Sequence, residues 1–126
     1  MYSPYSGAPA VGEDAARVDA LLARIAEGVQ LASESRIREH LLQFADIAEV
    51  VSHAVEVAQR RFPEAQLVLD VYRDPEIDDE YLVLYVRLSR YDDTVMERIT
   101  EAESEYLDML ADKLGWIQLT TDFLKR

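Results

Sequence analysis

Apolar residues at helical intervals predict two helices in the first half of the chain. The first should run from Glu13 to about Ala32, and the second from about Arg36 to Arg61, where Pro63 ends it. In the second helix, apolar positions alternate between intervals of four and three, which is a heptad seam. The seam residues are Ile37, Leu41, Phe44, Ala48, Val51, Val55, Ala58 and Phe62. A second apolar row beside the seam favours a core helix over the alternative, a dimeric coiled coil.

Two runs of alternating apolar residues flank a turn and predict an antiparallel hairpin from Gln66 to Leu88. Directly opposed residues share a face of a sheet, so the leucines and valines of the two strands should pair with each other. The predicted pairs are Val71 with Leu82, Leu69 with Leu84 and Leu67 with Val86. A slip of two residues keeps the same faces and is the alternative register. The connecting loop should span residues 74–80, with Asp74 and Pro75 opening a type I turn.

A third helix and a third strand complete the predicted elements. The helix should open at Thr94, where Glu97 completes a capping box, and end at Gly115 in the left-handed conformation. Its buried stripe should comprise Val95, Ile99, Ala102, Tyr106, Leu110 and Leu114. Residues 116–123 alternate again and predict a strand, which we place beyond the first hairpin strand and antiparallel to it. Numbered along the chain, the three strands then lie in the order 2-1-3.

These elements together predict the α+β class. Their order is helix, helix, β-hairpin, helix and strand, with a three-stranded antiparallel or mixed sheet packed on two long helices. Residues 13–124 should form one domain. Residues 1–12 contain Pro, Gly, Ser and Ala without any charge, which predicts a flexible N-terminal tail.

The sheet face that points away from the leucines is aromatic, and we call it the back face. Its predicted members are Val68, Tyr72, Tyr81, Val83, Tyr85, Trp116 and Thr120. A solvated face would normally be polar, so this one requires a cover. The helix predicted at 13–32 is the favoured cover, and another protein chain is the alternative. In the second case Tyr72, Tyr81, Tyr85 and Trp116 are partner-binding residues.

The net charge of −12 defines the kind of partner that fits this chain. Affinity for nucleic acid depends on basic residues that release counterions, so we expect no direct binding of DNA or RNA. In most acidic proteins such a surface serves solubility, and a basic partner protein is the alternative that this charge suits. On the third helix Glu97, Glu101, Glu105, Asp108 and Asp112 form an outward acidic row, and the first four of them are predicted partner-binding residues.

Two acidic groups resemble metal sites without completing one. In the loop 74–80, Asp74, Glu76 and Asp78 have the spacing of a calcium loop, but Asp79 occupies the position that requires glycine. The row of Asp46, Glu49, His53 and Glu56 lacks matching ligands from another helix. Solvated acidic surfaces are therefore the favoured interpretation of both groups. A metal-dependent hydrolase that uses either group is the alternative.

The sequence contains no recognisable catalytic set. It has no cysteine, only four glycines, no nucleophile elbow and no glycine loop for phosphate. We therefore expect no enzyme activity, no catalytic residue, no metal and no cofactor. The lack of cysteine, of a membrane-length apolar run and of a signal-peptide pattern predicts a cytoplasmic protein that does not bind membranes.

The segment from Phe62 to Phe123 resembles a group of small acidic bacterial proteins. The resemblance covers about half of the chain and rests on two stretches, residues 72–81 and residues 115–123. Such proteins are sometimes encoded beside a toxin-like partner. The leading hypothesis is a non-enzymatic protein that binds another protein, as the neutralising, antitoxin-like partner of a basic protein. A structural homodimer is a further alternative.

Overall fold

The computed structural model describes residues 8–76 and 79–121. Within these residues the helices are α1 (Ala8–Ile25), α2 (Glu34–Gln43), α3 (Ala48–Arg61) and α4 (Val95–Ser104). The strands are β1 (Gln30–Leu31), β2 (Gln66–Asp74), β3 (Asp79–Arg87) and β4 (Ile117–Thr121). Short 3₁₀ turns occupy Ala45–Ile47 and Leu107–Leu110. The fold is α+β with a mixed sheet, as the sequence predicts.

The sheet has the order β1-β2-β3-β4. The hairpin of β2 and β3 has the predicted register, with Val71 opposite Leu82, Leu69 opposite Leu84 and Leu67 opposite Val86. The predicted sheet order 2-1-3 is wrong, because β4 pairs with β3 in parallel and does not reach β2. A crossover through a helix connects parallel neighbours, and α4 is that crossover. The outer edge of β2 pairs in parallel with β1 instead.

The predicted second helix is broken at Phe44. That residue has φ −122° and ψ 58°, outside the helical region, and it separates α2 from the turn that leads into α3. A continuous heptad seam therefore does not exist. Gly115 packs against the break, since a Cβ atom placed there would lie 2.8 Å from the Cβ of Phe44. The Asp46 carboxylate accepts a hydrogen bond of 2.6 Å from the Leu114 N–H and holds the two segments together.

The first and last helices also differ from their predicted bounds. Helix α1 begins at Ala8, inside the segment predicted as a tail, and ends at Ile25 instead of Ala32. Residues 1–7 of the predicted tail lie outside the described residues, as do residues 122–124 at the other end of the predicted domain. The Thr94 capping box does not form, because the Asp92 carboxylate accepts hydrogen bonds from both the N–H and the hydroxyl of Thr94.

Beyond α4 the chain departs from the predicted helix. The helix ends at Ser104 and the turn at Leu107–Leu110 changes the phase of the side chains. Leu114, predicted to be buried, is consequently 88% exposed. Gly115 does not adopt the predicted left-handed conformation, and its lack of a side chain serves the close contact with Phe44.

One hydrophobic cluster joins the four helices to the leucine face of the sheet. Helices α2, α3 and α4 contact the strands, whereas α1 packs on α2 and α3. The cluster includes Leu69, Leu82 and Leu84 but not Val68 or Val83, which project to the other side of the strands. All helices of the described chain thus lie on one side of the sheet. None of them is long and apolar enough to cross a membrane.

Candidate functional site

The back face has no helix over it in the part of the chain that the structure describes. The favoured expectation, that the helix at 13–32 covers this face, is wrong, because α1 packs on the outer side of the helix layer. Near the middle of the face Val68 and Val83 are buried and Tyr85 is partly buried. Exposure increases towards one end, where Tyr72 is 42% exposed and Trp116 is 44% exposed.

Three aromatic side chains form a row across this exposed end. The rings of Tyr72 and Tyr81 lie opposite each other on β2 and β3, with centroids 5.3 Å apart. Because Leu82 pairs with Ile117, the preceding register position places Tyr81 beside Trp116. The Leu82 N–H fixes this register by donating a 3.0 Å hydrogen bond to the Trp116 carbonyl. Burial raises the pKa of Tyr81, with smaller contributions from Tyr72 and Asp79, so its phenol stays neutral.

A cleft of about 580 Å³ opens beside this aromatic row, and we call it the end cleft. Residues that line it include Asp79, Tyr81, Glu103, Leu107, Leu114 and Trp116. Five large hydrophobic side chains are exposed in the described chain, and three of them line this cleft. A fourth, Tyr72, contacts the Tyr81 ring. Exposed apolar surface is therefore concentrated at one place, which is typical of a binding surface.

The carboxylates of the end cleft are held by the fold. Glu103 projects from α4, and its Oε2 atom accepts a 3.0 Å hydrogen bond from the Leu119 N–H. Glu80 also lines the cleft, and its Oε2 atom lies 2.8 Å from Nδ1 of the buried His40, which donates this hydrogen bond. The Asp79 side chain lies at the exposed start of β3. Among the described residues that line the cleft there is no Lys, Arg or His, so this lining combines apolar walls with negative charge.

Side-chain hydrogen bonds occupy backbone groups at the edge of β4 and on β2 beyond the end of β1. At the outer edge of β4, Glu103 binds the Leu119 N–H and the Tyr106 hydroxyl donates to the Ile117 carbonyl at 3.4 Å. Beyond β1, the Asp70 carboxylate accepts a 2.7 Å hydrogen bond from the Val71 N–H of β2. Backbone groups that could pair with an added strand are thus already bonded at these positions. Partner binding by strand addition is disfavoured there.

The predicted acidic row divides into two groups, and its members from Glu105 onward lie beyond the end of α4. Glu105 forms a 2.5 Å ion pair with Arg60 and also bonds Arg61, and Glu101 lies 3.5 Å from Arg61. Hydrogen bonds from Arg60 and Arg61 hold the pKa of Glu105 below its usual range. These two glutamates therefore tie α4 to α3. The side chains of Glu97 and Asp108 are exposed.

The described members of the two acidic groups do not form a metal site. In the loop, Asp74 accepts a hydrogen bond from the Glu76 N–H, while residues 77 and 78 lie outside the described chain. In the helical row, Asp46 lies before α3 and bonds the Leu114 N–H, and His53 lies 3.6 Å from Glu56. Among the described residues no group of three or more His, Asp and Glu side chains is placed to hold a metal ion.

The structure brings together residues that the sequence did not connect. Tyr81 and Trp116 were predicted as partner-binding residues, but Glu103, Leu107 and Leu114 were not. The only available signal was that Leu107 is off the predicted buried stripe. The position of Glu103 depends on its contact with Leu119, a strand residue sixteen positions further along the chain. Local periodicity does not report such a contact.

In comparisons with known proteins the chain matches no family model, no curated protein and no solved structure. The geometry and charge of the end cleft are therefore the observations that bear on its function.

Proposed function

We propose that this chain is a non-enzymatic, acidic protein that binds another protein through the exposed end of its back face. The observation that supports this best is the concentration of exposed apolar side chains at the end cleft, next to the ring of Tyr72. Protein interfaces are enriched in tyrosine and tryptophan at their centres, and such a patch is costly to leave in water. The aromatic row provides that kind of centre.

The charge of the chain indicates a basic partner. The net charge of −12 gives a negative field that speeds association with a positive surface and opposes self-association. Within the described part of the chain, three carboxylates line the end cleft and no basic side chain joins them in its lining. The proposed role is the neutralising partner of a basic protein, in line with the resemblance of residues 62–123 to small acidic bacterial proteins.

Site-specific photocrosslinking tests the proposed surface. A photoreactive benzoylphenylalanine replaces Leu114, which lines the end cleft and is largely exposed. After irradiation of a lysate from the source organism, we expect one discrete adduct with a protein of basic sequence. High salt added before irradiation should prevent this adduct, because it screens the attraction between the two proteins. Met96 is the matched control, since it is an exposed hydrophobic residue on α4 that does not line the cleft.

Two results would contradict the proposal. One is the absence of any discrete adduct from position 114, and the other is the same adduct from positions 114 and 96. An adduct whose mass is twice that of this chain would favour the homodimer, and sedimentation of the unmodified protein would then show a dimer. No observation on the described residues favours the metal-dependent hydrolase. A thermal shift with calcium, magnesium, manganese or zinc tests it, since a specific site would raise the melting temperature.

A further inference from the structure

The end cleft has two chemical features that a single kind of side chain satisfies. One is the aromatic wall formed by Tyr81 and Trp116, which adjoin each other across β3 and the start of β4. The other is the set of carboxylates, with Asp79 on β3 and Glu103 on α4. A cation with a flat, weakly hydrated surface can lie against the rings while its N–H groups bond the carboxylates.

The carboxylate from α4 is already positioned for such a ligand. Its hydrogen bond with the Leu119 N–H fixes Glu103 at the β4 edge, so little side-chain freedom remains to be lost on binding. A carboxylate oxygen can accept more than one hydrogen bond, and therefore Glu103 can hold the strand and a ligand together. Leu107 and Leu114 supply apolar surface in the same cleft for the aliphatic part of a long side chain.

Building on the proposed function, we propose that the end cleft binds an arginine side chain from a basic segment of the partner protein. The guanidinium group stacks on Trp116 and Tyr81 and donates hydrogen bonds to Asp79 and Glu103. Arginine fits better than lysine because its planar group can stack and can form paired hydrogen bonds with a carboxylate. An ammonium group satisfies the charge but not the flat aromatic wall.

The sole tryptophan of the chain makes this proposal directly measurable. The probe is a blocked pentapeptide with arginine between two pairs of glycines, titrated into the full chain while Trp116 fluorescence is recorded. We expect a saturable change, at least about threefold weaker binding for a lysine peptide, and a larger loss for a citrulline peptide, which keeps the shape but lacks the charge. Blocked tryptophan in the same buffer gives the collisional background.

Variants separate the cleft from the general negative field. Asp79→Asn and Glu103→Gln should each weaken the arginine peptide about threefold, and Gln at 103 keeps an acceptor for the Leu119 N–H. Glu27→Gln removes one charge from an exposed position outside the cleft and should leave binding unchanged. Equal binding of arginine and citrulline peptides would overturn the proposal. Equal weakening by Glu27→Gln and Asp79→Asn would overturn it as well.

Failure of this inference and failure of the proposed function give different results. If position 114 crosslinks a basic protein but the arginine peptide gives only the collisional background, partner binding stands and the arginine site is rejected. If the peptide binds with the expected selectivity and no protein crosslinks, the arginine site stands and the proposed function is rejected.

Discussion

The two faces of the sheet are built from the same strands but differ in what lies against them. On one face, the side chains of Leu69, Leu82 and Leu84 are fully buried beneath α2, α3 and α4. On the other, burial is limited to the region of Val68 and Val83, and the aromatic row ends in half-exposed rings. Strand alternation assigns residues to faces but does not determine which face receives the helices. The difference assigns stability to the covered face and leaves the open end as the surface of the proposed partner binding.

Truncating a buried leucine side chain on the helix-covered face should have the largest effect on the free energy of unfolding. We expect Leu84→Ala to lower the free energy of unfolding by about 3 kcal/mol, because it leaves a cavity in a fully buried layer. Chemical denaturation followed by circular dichroism measures this change. Tyr72→Ala is the matched back-face variant and should cost below about 1 kcal/mol, since exposed sites contribute little. Similar losses for both variants would show that the faces are equally covered.

Filling the space between Gly115 and Phe44 should have the next largest effect on the free energy of unfolding. Gly115→Ala should lower the free energy of unfolding by about 2 kcal/mol, because the new methyl group would lie 2.8 Å from the Phe44 Cβ atom and 3.0 Å from Ile47. Gly28→Ala is the control, since its nearest neighbour is the amide nitrogen at the end of the flexible Gln59 side chain. A small effect at position 115 would mean that the helix break does not depend on this contact.

The local pattern of apolar residues predicts the hairpin but does not predict the elements that pack around it. Alternation of apolar residues and the turn at Asp74 determined the β2–β3 register, because cross-strand neighbours are set within a short stretch of chain. The break at Phe44 was not predictable in this way. The heptad pattern continues through it, and the residue that packs against the break, Gly115, is seventy-one positions away along the chain.

The candidate site was partly predictable for the same reason. Tyr72, Tyr81 and Trp116 follow from strand alternation, and they do lie at one end of the back face. Helical periodicity extended beyond Ser104 predicts a buried Leu114, but α4 ends at Ser104. The sheet order depended on which hairpin edge receives β4, and a two-residue strand such as β1 is too short to show any periodicity.

A smaller effect is expected where the covered face meets the end cleft. Glu80 accepts a hydrogen bond from Nδ1 of His40, a buried side chain whose Nε2 atom has no hydrogen-bond partner among the described residues. Glu80→Ala should cost about 1 kcal/mol, because it leaves a second buried nitrogen unpaired, and the 32% exposure of Glu80 limits the loss. Glu80→Gln keeps an acceptor and should lose less, as measured by thermal unfolding. Equal losses in the two variants, which both remove the charge, would indicate that the charge of Glu80 and not its hydrogen bond stabilises this position.

The smallest effect should come from the ion pairs that hold α4 over the leucine face. Arg60 and Arg61 hold the pKa of Glu105 below its ordinary value of 4.5, so the folded state binds a proton there less readily than the unfolded state. The stabilisation is therefore complete above pH 4.5 and is lost as the pH falls through the lowered pKa. In Glu105→Gln, unfolding measured from pH 7 to pH 3 should show a weaker loss of stability on acidification than in the unmodified chain. Glu97→Gln, a change at an exposed position of the same helix, should keep the full acid dependence, and an identical flattening in both variants would assign the effect to net charge.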